Sequence, residues 1–206
     1  HGDEVFLSRF DGASAYLYRA RLDENGGLDG EYWSGRTGHQ RFTAIRNPDA
    51  VLDVSAVATG LREPGVKLEF SFPDLDGNPV SLADERFRDK VVIVTLAGSW
   101  CPNCHDEAAF LAALHRELKS QGLEVVSLMF EHFGDFPQAA AATRRFRVKI
   151  GIEYPTLIAG TSDKDDAARA LPQLTGVFAF PTTIWVDRSG TVRKIHAGFS
   201  GPATGS

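Results

Sequence analysis

The chain holds two cysteines, Cys101 and Cys104, two residues apart in Trp100-Cys101-Pro102-Asn103-Cys104. An apolar run, Val91-Val92-Ile93-Val94-Thr95-Leu96, stands just ahead of them, and Asp106 to Leu114 behind them reads as helix. A C-x-x-C pair at a strand-to-helix turn suits thiol–disulfide exchange. The unpaired backbone N–H groups and the dipole of a helix start favour a thiolate over a thiol at Cys101. The thiolate is the attacking form of the side chain. Pro102 fits, because proline is well tolerated in the first helical turn. Cys104, one turn inside, is placed to attack a mixed disulfide formed at Cys101.

The same residues admit other chemistries. Zinc takes about four ligands, and there is no second cysteine pair, so no metal is expected. A structural disulfide between Cys101 and Cys104 closes too small a loop to stabilise the chain much. Cys101-Pro102-Asn103-Cys104-His105 also matches C-x-x-C-H, the attachment signature of c-type haem, which implies an electron carrier. Against haem, the motif follows a buried-looking strand, and the single methionine, Met129, falls inside another strand-like run. His105 reads instead as an exposed first-turn residue. With the cysteine pair carrying the electrons, no cofactor is expected.

These residues need a scaffold, and 206 residues at 43% hydrophobic content suffice for one full core and a smaller attached piece. A formal charge of −5 gives no footprint for nucleic acid. No stretch approaches the roughly 20 apolar residues that span a membrane. Both ends are abrupt. His1-Gly2-Asp3-Glu4 is not a signal peptide, and Gly201 to Ser206 trails off after a strand, so the chain reads as a cut of a longer precursor, with any export signal lost and a terminal helix removed or never included.

Residues 1–47 read as a small antiparallel β-meander: Val5–Phe10, Ala15–Leu22, Leu28–Trp33 and Arg41–Ile45, parted by turns at Asp11-Gly12, Asn25-Gly26-Gly27 and Ser34 to Gly38. As cut, its edges are open, so it is expected to continue N-terminally or to pack on the next domain. Residues 48–67 read as a linker of little regular structure. The main domain, 68–206, opens with Leu68–Phe72 and a hairpin around Asp76-Gly77. Strand Val91–Leu96, helix 104–120, strand Leu123–Phe130, helix 138–148 and the short strand Thr156–Ile158 follow. After them come a helix from Asp163 towards Leu174 that Pro172 ends early, and a final hairpin turning at Asp187–Gly190. This order predicts an α/β domain, a central mixed sheet flanked by helices. Glu131-His132 reads as a polar loop and Asp163 to Asp166 as a solvated helix start. Trp185, Phe70, Phe72 and Phe110 read as core.

The region from Leu68 to Phe199 resembles the TlpA/ResA-like family of thiol–disulfide oxidoreductases in the thioredoxin superfamily. The resemblance rests on Phe72 to Leu82, on Gly98 to Cys104 with Glu107, and on Phe180-Pro181-Thr182-Thr183. It implies a thioredoxin-like fold in which Pro181 is a cis-proline facing the C-x-x-C and leaves the Phe180 backbone free to pair with a target segment. Trp100 shields or packs beside Cys101. In such folds an acid often sits six residues before the first cysteine; here that position is Thr95, which cannot do the job. Glu107 is then the nearest replacement as a proton relay, although a solvated first-turn acid is the alternative.

The family implies a periplasmic or membrane-anchored protein that reduces disulfides of envelope proteins and admits a membrane-bound electron donor. Two departures stand out: proline comes first between the cysteines, and the bulky Phe180 precedes Pro181. The entry hairpin is shared with peroxiredoxins, which need a threonine three residues before the attacking cysteine. Here that residue is Gly98.

Overall fold

The computed structural model describes residues 2–10, 15–34, 38–51 and 58–201. They divide near residue 53 into two compact units. The smaller is one sheet of four antiparallel strands in chain order: β1 (Glu4–Phe10), β2 (Ala15–Leu22), β3 (Leu28–Ser34) and β4 (Gly38–Ala44). Alternation gives it two different faces. Tyr18 lies tilted against Tyr32 and meets Phe42 edge-on, while the opposite face carries Arg19–Glu4 at 3.0 Å and Arg41–Asp29 at 3.2 Å. The β2–β3 turn forms because Asp23 Oδ1 accepts the N–H groups of Asn25 and Gly27 and Gly26 takes φ +78°. The expected turn at Asp11-Gly12, the centre of the turn at 35–37 and the tail after Gly201 lie outside the described residues.

The larger unit is built on a five-stranded sheet. Its strands are β7 (Val91–Ala97), β8 (Leu123–Glu131), β9 (Thr156–Thr161), β10 (Thr182–Val186) and β11 (Val192–Ala197), ordered β11-β10-β7-β8-β9. β7, β8 and β9 run parallel, and β10 runs antiparallel to β7 and β11. A small entry hairpin, β5 (Ser71–Pro73) with β6 (Pro79–Ser81), precedes them and turns through Gly77 at φ +89°. Helices α1 (Pro102–Leu118) and α2 (Phe136–Ile150) make the crossovers from β7 to β8 and from β8 to β9, and α3 (Lys164–Ala170) leads from β9 to β10. This is the thioredoxin-like α/β architecture, preceded by the meander.

β7 and β8 are buried almost throughout because both of their faces are covered. Val92, Val94, Leu96, Val126 and Leu128 pack on one side with Leu171 and Leu174. Ile93, Val125 and Met129 pack on the other beneath Ala108, Leu111 and Ala112 of α1 and Phe146 of α2. Leu128 lies at the centre with no exposed surface. Leu128→Ala is expected to cost about 2–5 kcal/mol of stability, read from chemical denaturation of the full chain.

Two details depart from expectation. Phe110 is 55% exposed rather than core: the buried stripe of α1 is Cys104, Glu107, Ala108, Leu111, Ala112 and His115, and Phe110 points off it. Phe72 and Trp185 are half-buried. The segment after residue 58 carries no helix or strand before β5 and is held by backbone hydrogen bonds. Thr175 N–H donates to Gly60 O and Arg62 N–H to Gln173 O, so its backbone groups find partners without forming a strand.

Candidate active site

Cys101 is the N-cap of α1, and Pro102 opens the first turn. Its Sγ accepts the backbone N–H of Cys104 at 3.3 Å, the contact a capping oxygen makes elsewhere. Cys101 and Cys104 are joined as a disulfide, and both are buried. The helix start thus directs the Cys104 N–H at the sulfur.

The Phe180–Pro181 peptide is cis and brings the chain against the cysteines from β10's side of the sheet. Cys101 Sγ lies 3.5 Å from the carbonyl oxygen of Phe180. Pro181 precedes β10 and keeps its carbonyl engaged by Gly198 N–H at 2.7 Å. The Phe180 ring meets Trp100 edge-on and lies tilted on Phe130. Trp100 is not a core aromatic. It is 37% exposed, its indole N–H donates to Phe130 O at 2.9 Å, and its ring stacks on His132. Cys101, Trp100 and Phe180 therefore meet at one end of the sheet.

Glu107 is buried, 4% exposed, one turn beyond Cys104 on the same stripe of α1. Thr95 Oγ1 donates to its Oε2 at 2.6 Å, and the Thr183 hydroxyl donates to Oε1. Burial pushes the carboxyl above its ordinary range, partly opposed by the Thr183 and Thr95 hydroxyls that favour its charged form. The two threonines are exact partners in the sheet register, Thr183 opposite Thr95, and Thr95 is in turn opposite Ser127. A row of hydroxyls thus crosses three strands below α1. Thr95 does not replace the missing strand acid; it holds the helix acid in place.

Two further groups correct the sequence reading. Glu131 is the last residue of β8 and is 1% exposed, not part of a polar loop. It accepts Ser99 N–H at 3.0 Å, the Ser99 hydroxyl at 2.7 Å and the Thr143 hydroxyl at 3.2 Å. It therefore pins the loop that delivers Cys101. An acid directly following the apolar Leu128-Met129-Phe130 was the available signal. Glu131→Ala leaves three donors without their acceptor and is expected to lower stability by about 1–3 kcal/mol, measured by denaturant midpoint at constant slope. His105, expected to be exposed, is half-buried: its Nε2–H donates to Ser99 O at 2.8 Å and its ring sits edge-on to Phe146. That use of His105 serves the loop, and Met129 is buried within β8; neither side chain offers itself to a haem.

Comparison with known proteins agrees with this geometry. "Thiol-disulfide oxidoreductase ResA" of Geobacillus thermodenitrificans is 28% identical over 144 residues, 70% of this chain and 72% of that protein. The ResA of Geobacillus kaustophilus is 27% identical over the same shares. A solved thiol:disulfide interchange protein of the thioredoxin family from Chlorobium tepidum superposes with a TM-score of 0.53 at 24% identity, covering 70% of this chain and 93% of its own, which shows the fold. The AhpC/TSA family model matches residues 65–195, a span that takes in the cysteine pair, Glu107 and the Phe180–Pro181 bond. The chain belongs to the AhpC/TSA family.

Proposed function

We infer that the chain is a thiol–disulfide oxidoreductase whose working group is the Cys101–Cys104 pair. The observation that carries this is the pair itself, a disulfide at the N-cap of α1 with the Phe180 carbonyl 3.5 Å from Cys101 Sγ. In the reducing direction the Cys101 thiolate attacks one sulfur of a target disulfide. A Cys101–target S–S bond forms, and the target's own S–S bond breaks with its electron pair leaving on the second target sulfur. Cys104, deprotonated, then attacks Cys101 Sγ, forming the intramolecular disulfide and releasing the first target sulfur as thiolate. The target gains two electrons and the protein dithiol loses two.

Glu107 takes the proton that Cys104 sheds; its burial, which favours the protonated form, equips it for that. Trp100 and Phe180 shape the surface on which the target chain lies. The Phe180 backbone before Pro181 offers that chain a partner for its own backbone, in the manner of an added strand. The substrates are protein disulfides of the cell envelope, and the resemblance to the ResA relatives supports reduction as the direction. It also supports a site outside the cytoplasm, tethered to the membrane and recharged by a membrane-bound donor. Among the described residues no helix is long and apolar enough to cross a membrane.

The family match brings a second reading, peroxide reduction at Cys101. A peroxiredoxin-type threonine has no room three residues earlier. A Cβ on Gly98 would lie 2.3 Å from Trp100 Nε1 and 2.8 Å from Phe130 O, inside any real contact. The test is turnover. Catalytic protein with excess dithiothreitol is expected to precipitate reduced insulin chains faster than dithiothreitol alone. Consumption of hydrogen peroxide without insulin reduction would favour the second reading instead.

A further inference from the structure

The net charge of −5 conceals a concentrated cationic face. α2 carries Arg144, Arg145, Arg147 and Lys149 and no acid between Phe136 and Ile150. Arg144 is paired with Asp76 at 2.7 Å. Among the described residues the side chains of Arg145 and Lys149 have no ion pair or hydrogen bond, and both are exposed. The α2 dipole accounts for Arg147 and Lys149 in the last turn, but not for Arg145.

Where Arg145 and Lys149 lie is more informative than their number. With Ala142 they stand at i, i+3 and i+7, one face of the helix. That face lines a groove whose other wall is Ser99 and His105, with Phe146 between them. Ser99 is two residues before Cys101, and His105 directly follows Cys104. No acidic side chain lines the groove. Glu131, the nearest carboxylate in the hydrogen-bond network, has its oxygens committed to Ser99 and Thr143.

We propose that this groove is a carboxylate-binding subsite of the redox site, through which Arg145 and Lys149 select target polypeptides bearing acidic residues beside the disulfide. The proposal rests on the redox reading above and adds a substrate preference to it. Cations at the edge of a reacting centre act first on encounter and orientation, so the selection appears as rate and fades with salt.

The test uses the reduced full chain and two disulfide-linked peptides identical except for a Glu-Glu or a Gln-Gln pair next to one cysteine. Initial exchange rates are read by intact mass at about 20 mM and about 500 mM salt. Wild type is expected to prefer the acidic peptide roughly 3- to 10-fold at low salt, with the ratio falling towards one at high salt. R145Q/K149Q is expected to bring the low-salt ratio to about one, and R145K/K149R to retain it. A wild-type ratio near one at low salt, or a preference unchanged in R145Q/K149Q, overturns the subsite. Absence of exchange with both peptides in wild type overturns the redox reading itself and the subsite with it.

Discussion

Cys101→Ser is expected to abolish exchange, lowering the rate by at least about 10³-fold, because a thiolate is the nucleophile and an alcohol at neutral pH is not. Cys104→Ser is expected to behave differently. Cys101 keeps its place at the head of α1, with the backbone N–H of residue 104 directed at its sulfur, so the first attack survives and the second cannot occur. The mixed disulfide accumulates, visible as the added mass of one target chain on the intact protein and reversed by dithiothreitol. Should Cys104→Ser attack no target while Cys101→Ser does, the assignment of attacking and resolving sulfurs is reversed.

Glu107→Gln carries the second large effect. It preserves the shape of the side chain and removes its proton chemistry. Resolution by Cys104 is expected to slow by about 10²-fold or more near neutral pH, within the range of general acid–base contributions. The deficit narrows at alkaline pH, where solvent base removes the Cys104 proton without help.

A stability measurement separates this role from simple packing. Burial raises the Glu107 carboxyl in the fold, against the smaller pull of Thr183 and Thr95. The native state therefore holds the proton more tightly than the unfolded chain. The stabilising contribution is complete below about pH 4.3, the ordinary glutamate value, and is lost as pH rises through the elevated native value. Wild type should lose stability relative to Glu107→Gln over that rise. Parallel stability–pH curves would contradict the raised carboxyl.

The sequence made the centre of the site legible because its chemistry is local. The C-x-x-C, the preceding apolar strand and the following helix are contiguous, and each of their signals concerns neighbours within a few residues. The meander strands were legible for the same reason, through alternation and glycine-bearing turns. Phe110 was misread although its position was decipherable: the stripe Cys104, Glu107, Ala108, Leu111 at helical spacing excludes it.

What supports Glu107 was out of reach. Thr95 and Thr183 meet it only because β10 lies antiparallel beside β7 with Thr183 opposite Thr95, a register between strands 88 residues apart that no local pattern encodes. Glu131 was hidden similarly, since its partners Ser99 and Thr143 come from a loop and a helix on either side of β8. The lesson from both acids is physical. A charged residue closing a buried strand or standing on the buried stripe of a helix is seldom left unpaired, so a polar partner on a neighbouring element is to be expected.

The most direct measurement is a redox titration of the Cys101–Cys104 pair in the full chain. The protein is equilibrated in graded dithiothreitol or glutathione buffers and the thiols counted by alkylation and mass. A single reversible two-electron transition is expected, about 30 mV per tenfold change in the oxidised-to-reduced ratio. A midpoint near about −270 mV matches a reductant recharged from upstream, and one near about −120 mV would reverse the proposed direction while keeping the chemistry. If no reversible dithiol couple is found at any buffer potential, the pair is not the working group, and the oxidoreductase assignment fails with it.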